Sequence, residues 1–131
     1  MINDIEIPKV ENVYVVAINE WNEEMTSRQW NVYLINNRKN LISTVLVMSR
    51  GRSEDDKTST LRHLLGDVPP QTSAKVEMVM ENILGFTNEY LLTFFDENKL
   101  FEKRFVFEPY AINEKNIVKL PVLEEEGIMA N

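Results

Sequence analysis

The chain has one histidine, His63 in "TLRHLLG", and it is the first residue whose type could do chemistry. General-base or nucleophilic catalysis would need an orienting carboxylate, and a nucleophile or labile proton, within hydrogen-bond reach of the imidazole. Asp55 and Asp56 are near in sequence, but a strand through His63 places no defined partner beside the ring. His63 shares a strand face with Leu61 and Leu65. The expectation is a half-buried histidine bonded to a neighbour rather than a catalyst.

Other chemistries are thinner still. With no cysteine and a single histidine, a structural zinc site lacks its usual ligands. The acidic runs Glu54-Asp55-Asp56, Asp96-Glu97-Asn98 and Glu124-Glu125-Glu126 lack the spaced pattern of a calcium loop. Neither a glycine-rich phosphate cradle nor a nucleophile elbow occurs. No enzyme activity, metal or cofactor is expected.

Two sets of residues suggest binding instead. "SRGRS" (Ser49 to Ser53) is compact and basic, and Arg50, Arg52 and Arg62 together could meet a phosphate or a partner's carboxylates. The "EDDK" that follows carries the opposite charge, so a surface turn with local ion pairs is the expected arrangement. The aromatics Trp21, Trp30, Phe94, Phe95, Phe101, Phe105 and Phe107 could form a stacking platform, but most fall on alternating positions that suit a core. Phe94 and Phe95 point to opposite faces of one strand, so one of them is expected outside the core. An exposed Phe95 or Trp21 beneath the C-terminal arm would mark an interaction surface. His63 completes the set of candidate contact residues.

The elements that must position these residues follow a period of two. "NVYVVAIN", "WNVYLIN", "LISTVLVMS", "TSTLRHLL", "AKVEM", "EYLLTF" and "LFEKRFVF" read as seven short strands. "NNRKN" (Asn36 to Asn40) suggests a hairpin between the second and third, and "DENK" (Asp96 to Lys99) a second hairpin. Gly51, Gly66 and Gly85 are expected between strands. "AKVEMVMENILGF" has helix-forming residues but lacks a capping box, and its apolar positions would wrap too far around a helix. A strand with an inward Ala74-Val76-Met78-Met80 face is preferred. "GDVPPQTS" before it fits a corner where the chain passes from one sheet to another, since proline cannot donate to a ladder. The pattern predicts an antiparallel, immunoglobulin-like β-sandwich over 10–108. The segment 109–131 reads as an extended arm that folds back over a sheet or exchanges with a second chain.

Composition sets limits. The 131 residues suit one domain, because two halves of that chain would be marginal without disulfides or metals. A formal net charge of −7 disfavours non-specific binding to nucleic acid. "MINDIEIPKV" carries acids where an export signal needs bases, and no run approaches the roughly 18 apolar residues of a membrane span. A cytoplasmic location without membrane contact is expected.

With "IEIPKVENVYVV", "WNVYLINN", "TSTLRHLLGDVPPQTSAKVEM", "NEYLLTFFDENKLFEKRFVF" and "EEEGIMA" in order, the chain resembles a family of short bacterial proteins of unknown function. Some of that family's members carry the label phenylalanyl-tRNA synthetase subunit. The resemblance implies no catalytic residues. Three expectations stand: a non-enzymatic protein-interaction or assembly module that binds a protein partner or self-associates as a homo-oligomer; a tRNA or synthetase accessory factor using Arg50, Arg52 and Arg62; or a small-ligand-binding domain in which His63 titrates.

Overall fold

The computed structural model describes residues 8–131, so most of the N-terminal stretch read for an export signal lies outside it. Two antiparallel sheets pack face to face. The first strand, β1 (Val13–Trp21), forms a hairpin with β2 (Arg28–Asn36), in continuous register from Val13 opposite Asn36 to Trp21 opposite Arg28. β3 (Ile42–Arg52), β4 (Leu61–Val68) and β5 (Thr72–Val79) follow, then the hairpin of β6 (Thr87–Asp96) and β7 (Lys99–Phe107), then β8 (Val118–Lys119) and β9 (Glu126–Met129). The sheet orders are β5-β2-β1-β9-β8 and β4-β3-β6-β7. All seven expected strands are present, and the arm contributes β8 and β9.

The core lies between the sheets. Val15, Ala17, Val32 and Leu34 from the five-stranded sheet pack with Val45, Val47, Leu92, Phe94 and Phe105 from the other. Apolar residues on alternate positions of each strand meet there, which is how two half-buried sheets satisfy each other. Phe94 stacks on Phe101 with ring centroids 4.9 Å apart, and Tyr90 meets Phe107 edge to face. The β6–β7 hairpin turns at Glu97 and Asn98, both at positive φ, the geometry that matches strand twist in a two-residue turn.

The expected hairpin across "NNRKN" does not form. β2 pairs with β1 and β5, whereas β3 pairs with β4 and β6, so Asn36 to Asn40 carries the chain between sheets. Fully buried Asn36 explains why a polar run suits that crossing. Its Nδ2 donates to the carbonyls of Asn40, Val68 and Pro69, and its Oδ1 accepts from the Arg38 amide at 2.9 Å. Val68 and Pro69 belong to the second crossing, because β4 lies in one sheet and β5 in the other. The double proline is therefore a sheet-switching corner, and one asparagine ties both corners together.

Three expectations need correction in register. Gly51 and Gly66 lie inside β3 and β4, not between strands; Gly66 has φ +70° where the β3–β4 pairing shifts. In β5, Tyr33 faces Lys75 while Val32 faces Glu77, leaving Val76 as an extra residue. That bulge changes the phase of the strand. Met78 and Met80 consequently point to solvent, while Val79 is buried and Glu77 turns toward the opposite sheet.

The arm folds back within the same chain. Ile128 pairs with Ala17 and Met129 with Val16, and β8 pairs with β9. Leu120 packs with Val16, Ile18 and Ile35, and Leu123 and Met129 extend the cluster over the outer face of the five-stranded sheet. Gly127 permits the approach, since a Cβ there would collide with the carbonyl oxygen of Ala17. Asn131 exchanges two backbone hydrogen bonds with Val106 of β7. No helix is long and apolar enough to cross a membrane among the described residues.

Candidate functional site

The arm covers one outer face and leaves the outer face of the four-stranded sheet open. The pairing sets its residues in rows across the strands. Leu64, Leu46, Thr93 and Glu102 form one row, Arg62, Met48, Leu91 and Arg104 the next, and Arg50, Glu89 and Val106 the third. Leu64 is 78% exposed, and Phe95 and Leu100 extend the apolar surface beyond the first row. A shallow groove of about 370 Å³ runs across the face, lined by Leu46, Met48, Leu91, Thr93, Glu102 and Arg104.

Glu89 organises the charged end. Its side chain is only 2% exposed, although it points away from the core. Arg104 donates to Oε1 at 2.7 Å and Arg52 at 2.9 Å, while Arg50 donates to Oε2 at 3.0 Å. The Arg104 hydrogen bond is the chief cause that holds the Glu89 carboxyl down to about 2, against the opposing effect of burial; Arg52 and Arg50 reinforce it. Three guanidinium groups share one carboxylate, and each remains about half exposed. The cluster therefore keeps positive charge and free N–H donors directed at solvent.

A second polar cluster lies between the sheets at the β4–β5 edge. His63 Nε2 and Ser49 Oγ both lie 2.7 Å from Oε1 of Glu77, and the Tyr90 hydroxyl donates to Oε2 at 2.9 Å. Burial, then the Glu77 charge, pushes the Tyr90 hydroxyl well above its ordinary pKa. Glu77 comes from β5 and its donors from β3, β4 and β6, so the carboxylate clasps one sheet to the other. A nucleophile-activating relay would place serine and carboxylate on opposite nitrogens of the ring. Here both sit at Nε2, and Ser49 is closer to Glu77 than to His63, from which it is 3.5 Å away. Ser49, Glu77 and Tyr90 line a cleft of about 410 Å³ whose walls include Leu61, Met78 and Met80. Among the described residues, no three His, Asp or Glu side chains converge as a metal ion requires.

The candidate residues separate accordingly. Arg50 and Arg52 come together, but their partner is Glu89 on β6 rather than the local Glu54–Asp56 run, because strand alternation points all three side chains out of the same sheet face. Arg62 stands on that face one row away, and Phe95 is exposed on it. Trp21 lies elsewhere: it is exposed at the end of β1, with the Arg28 guanidinium 5.6 Å above its ring, and β9 pairs with β1 several residues away from it. His63 is half-buried and bonded to a neighbour. Glu77, Glu89 and Arg104 were not singled out in the sequence. The tight turn at Glu97–Asn98 held the signal for two of them, since it pairs Leu91 with Arg104 and so sets Arg104 diagonal to Glu89.

No protein-family model matches the chain, and no curated protein or solved structure is significantly similar to it.

Proposed function

We propose that the chain is a non-enzymatic protein-interaction module, an immunoglobulin-like sandwich that docks a partner on the outer face of its four-stranded sheet. The observation that carries this reading is the asymmetry of the two outer faces. One is sealed by Leu120, Leu123 and Met129 of the arm, while the other keeps Leu46, Met48, Leu64, Leu91 and Phe95 beside a cluster of arginines. Apolar surface rimmed by charge is the usual composition of a binding patch. A cytoplasmic location and kinship with the short bacterial family belong to the same reading.

Affinity capture from native extract tests it, using the wild type, a Leu46→Asp/Met48→Asp variant and a Val118→Asp control on β8. The reading expects a partner, or a second copy of the chain, held by wild type and control and lost by the sheet-face variant. Identical retention by all three overturns it.

The tRNA or synthetase accessory reading draws on the same arginines, Arg50, Arg52 and Arg62. It expects salt-sensitive tRNA binding that weakens when they become Glu, and no binding at low salt ends it.

A further inference from the structure

Building on that docking reading, we infer that the face takes an extended, acidic segment of a partner protein, with apolar residues at one end and carboxylates at the other. β3 presents Leu46, Met48, Arg50 and Arg52 outward in one line, two apolar positions and then two cationic ones. Successive outward positions on a strand are about 6.7 Å apart, which is the two-residue step of another extended chain. A segment laid along β3 stays in step over all four positions, whereas a helix, rising about 1.5 Å per residue, drifts out of step.

Charge fixes the second half of the segment. The face carries Arg50, Arg52, Arg62 and Arg104 against Glu89 and Glu102, on a chain whose net charge is −7. Glu89 holds three of the guanidinium groups in place while taking only part of their N–H donors, so the remaining donors are preorganised for carboxylates. The groove beside them decides between carboxylate and phosphodiester. Leu46, Met48 and Leu91 need an aliphatic side chain to cover them, and a nucleic-acid backbone offers none. The segment that fits has the pattern apolar-x-apolar-x-acid-x-acid, read in either chain direction.

Fluorescence anisotropy with labelled synthetic peptides on the full chain tests this. The probes are Leu-Ser-Leu-Ser-Glu-Ser-Glu, a counterpart with Lys for Glu, and one with Ser for Leu. The acidic apolar peptide is expected to bind best, by about tenfold over either counterpart, and to weaken as salt rises. Arg52→Glu should lower its affinity by a similar factor. Because that variant disturbs the Glu89 cluster, Leu64→Glu, at a position that packs little, provides a second test with the same expected loss, and thermal melting confirms that both fold. Equal binding of the Glu and Lys peptides, or unchanged affinity in a folded Leu64→Glu variant, overturns the inference. So does tighter binding of a tRNA preparation that is abolished by the same substitutions. If the captured partner is still lost on Leu46→Asp/Met48→Asp while the peptides show no preference for acid, the acidic segment is refuted and the docking face stands.

Discussion

Arg104 donates to the buried carboxylate of Glu89 at 2.7 Å across the β6–β7 hairpin, and this contact fixes the cationic end of the open sheet face. A carboxylate so enclosed on an outward-facing position has a measurable consequence. Its folded pKa lies near 2, below an ordinary value of 4.5. A depressed carboxylate contributes stability that is complete above the unfolded pKa and is lost as pH falls through the folded one. Thermal or denaturant melts should show this contribution fading between those two values. Glu89→Gln should remove that part of the acid dependence and cost about 1–2 kcal/mol at neutral pH, because three guanidinium groups lose the shared negative charge and one of its two acceptor oxygens. An unchanged acid profile in the variant would show that the cluster does not hold Glu89 ionised.

Gly127 should tolerate no larger residue. A valine there drives a side chain into the Ala17 carbonyl and separates β9 from β1. Gly127→Val is expected to lose roughly 2–4 kcal/mol in denaturant unfolding. It should also uncover Val16, Ile18 and Ile35, raising the apparent mass in light scattering. A stable, monodisperse variant would contradict the arm's role as the cover of that sheet.

The clasp at Glu77 predicts an unequal pair of substitutions. Glu77→Ala deprives Ser49, His63 and Tyr90 of one acceptor at once, and should cost about 2–4 kcal/mol. His63→Gln keeps a donor in reach and leaves the other two bonds intact, so its cost should be about 1 kcal/mol or less. Chemical denaturation of both variants checks the order, and a larger loss from His63→Gln would reverse the roles assigned here.

Asn36 offers the sharpest test of the crossings. Its amide meets carbonyls from both sheet-switching corners, and the side chain is fully buried. Asn36→Leu should destabilise by roughly 2–3 kcal/mol despite adding apolar volume, since it leaves buried carbonyls unpaired. A variant as stable as wild type would mean that the corners hold without it.

Strands were legible in the sequence because alternation is a local signal, and so was the β6–β7 hairpin, whose turn residues sit next to the strands they join. The crossing at Asn36 to Asn40 was not, because a polar loop between two β-rich runs looks the same whether the runs pair with each other or with others. Val76 shows a second limit: a bulge adds one residue, and from there the face assignment of Met78 and Met80 inverts without any change in residue type. Arg50 and Arg52 were visible as a pair, yet their partner lies 39 and 37 residues away, and only the sheet order brings Glu89 to them. The clasp at Glu77 depends on contacts between two sheets, which no local pattern encodes.

Site-specific photo-crosslinking tests the docking face most directly. A crosslinking residue at Leu64, exposed on the open face, should capture the partner in native extract, while one at Val118 on β8 should not. Adducts formed from Val118 and absent from Leu64 would contradict the account.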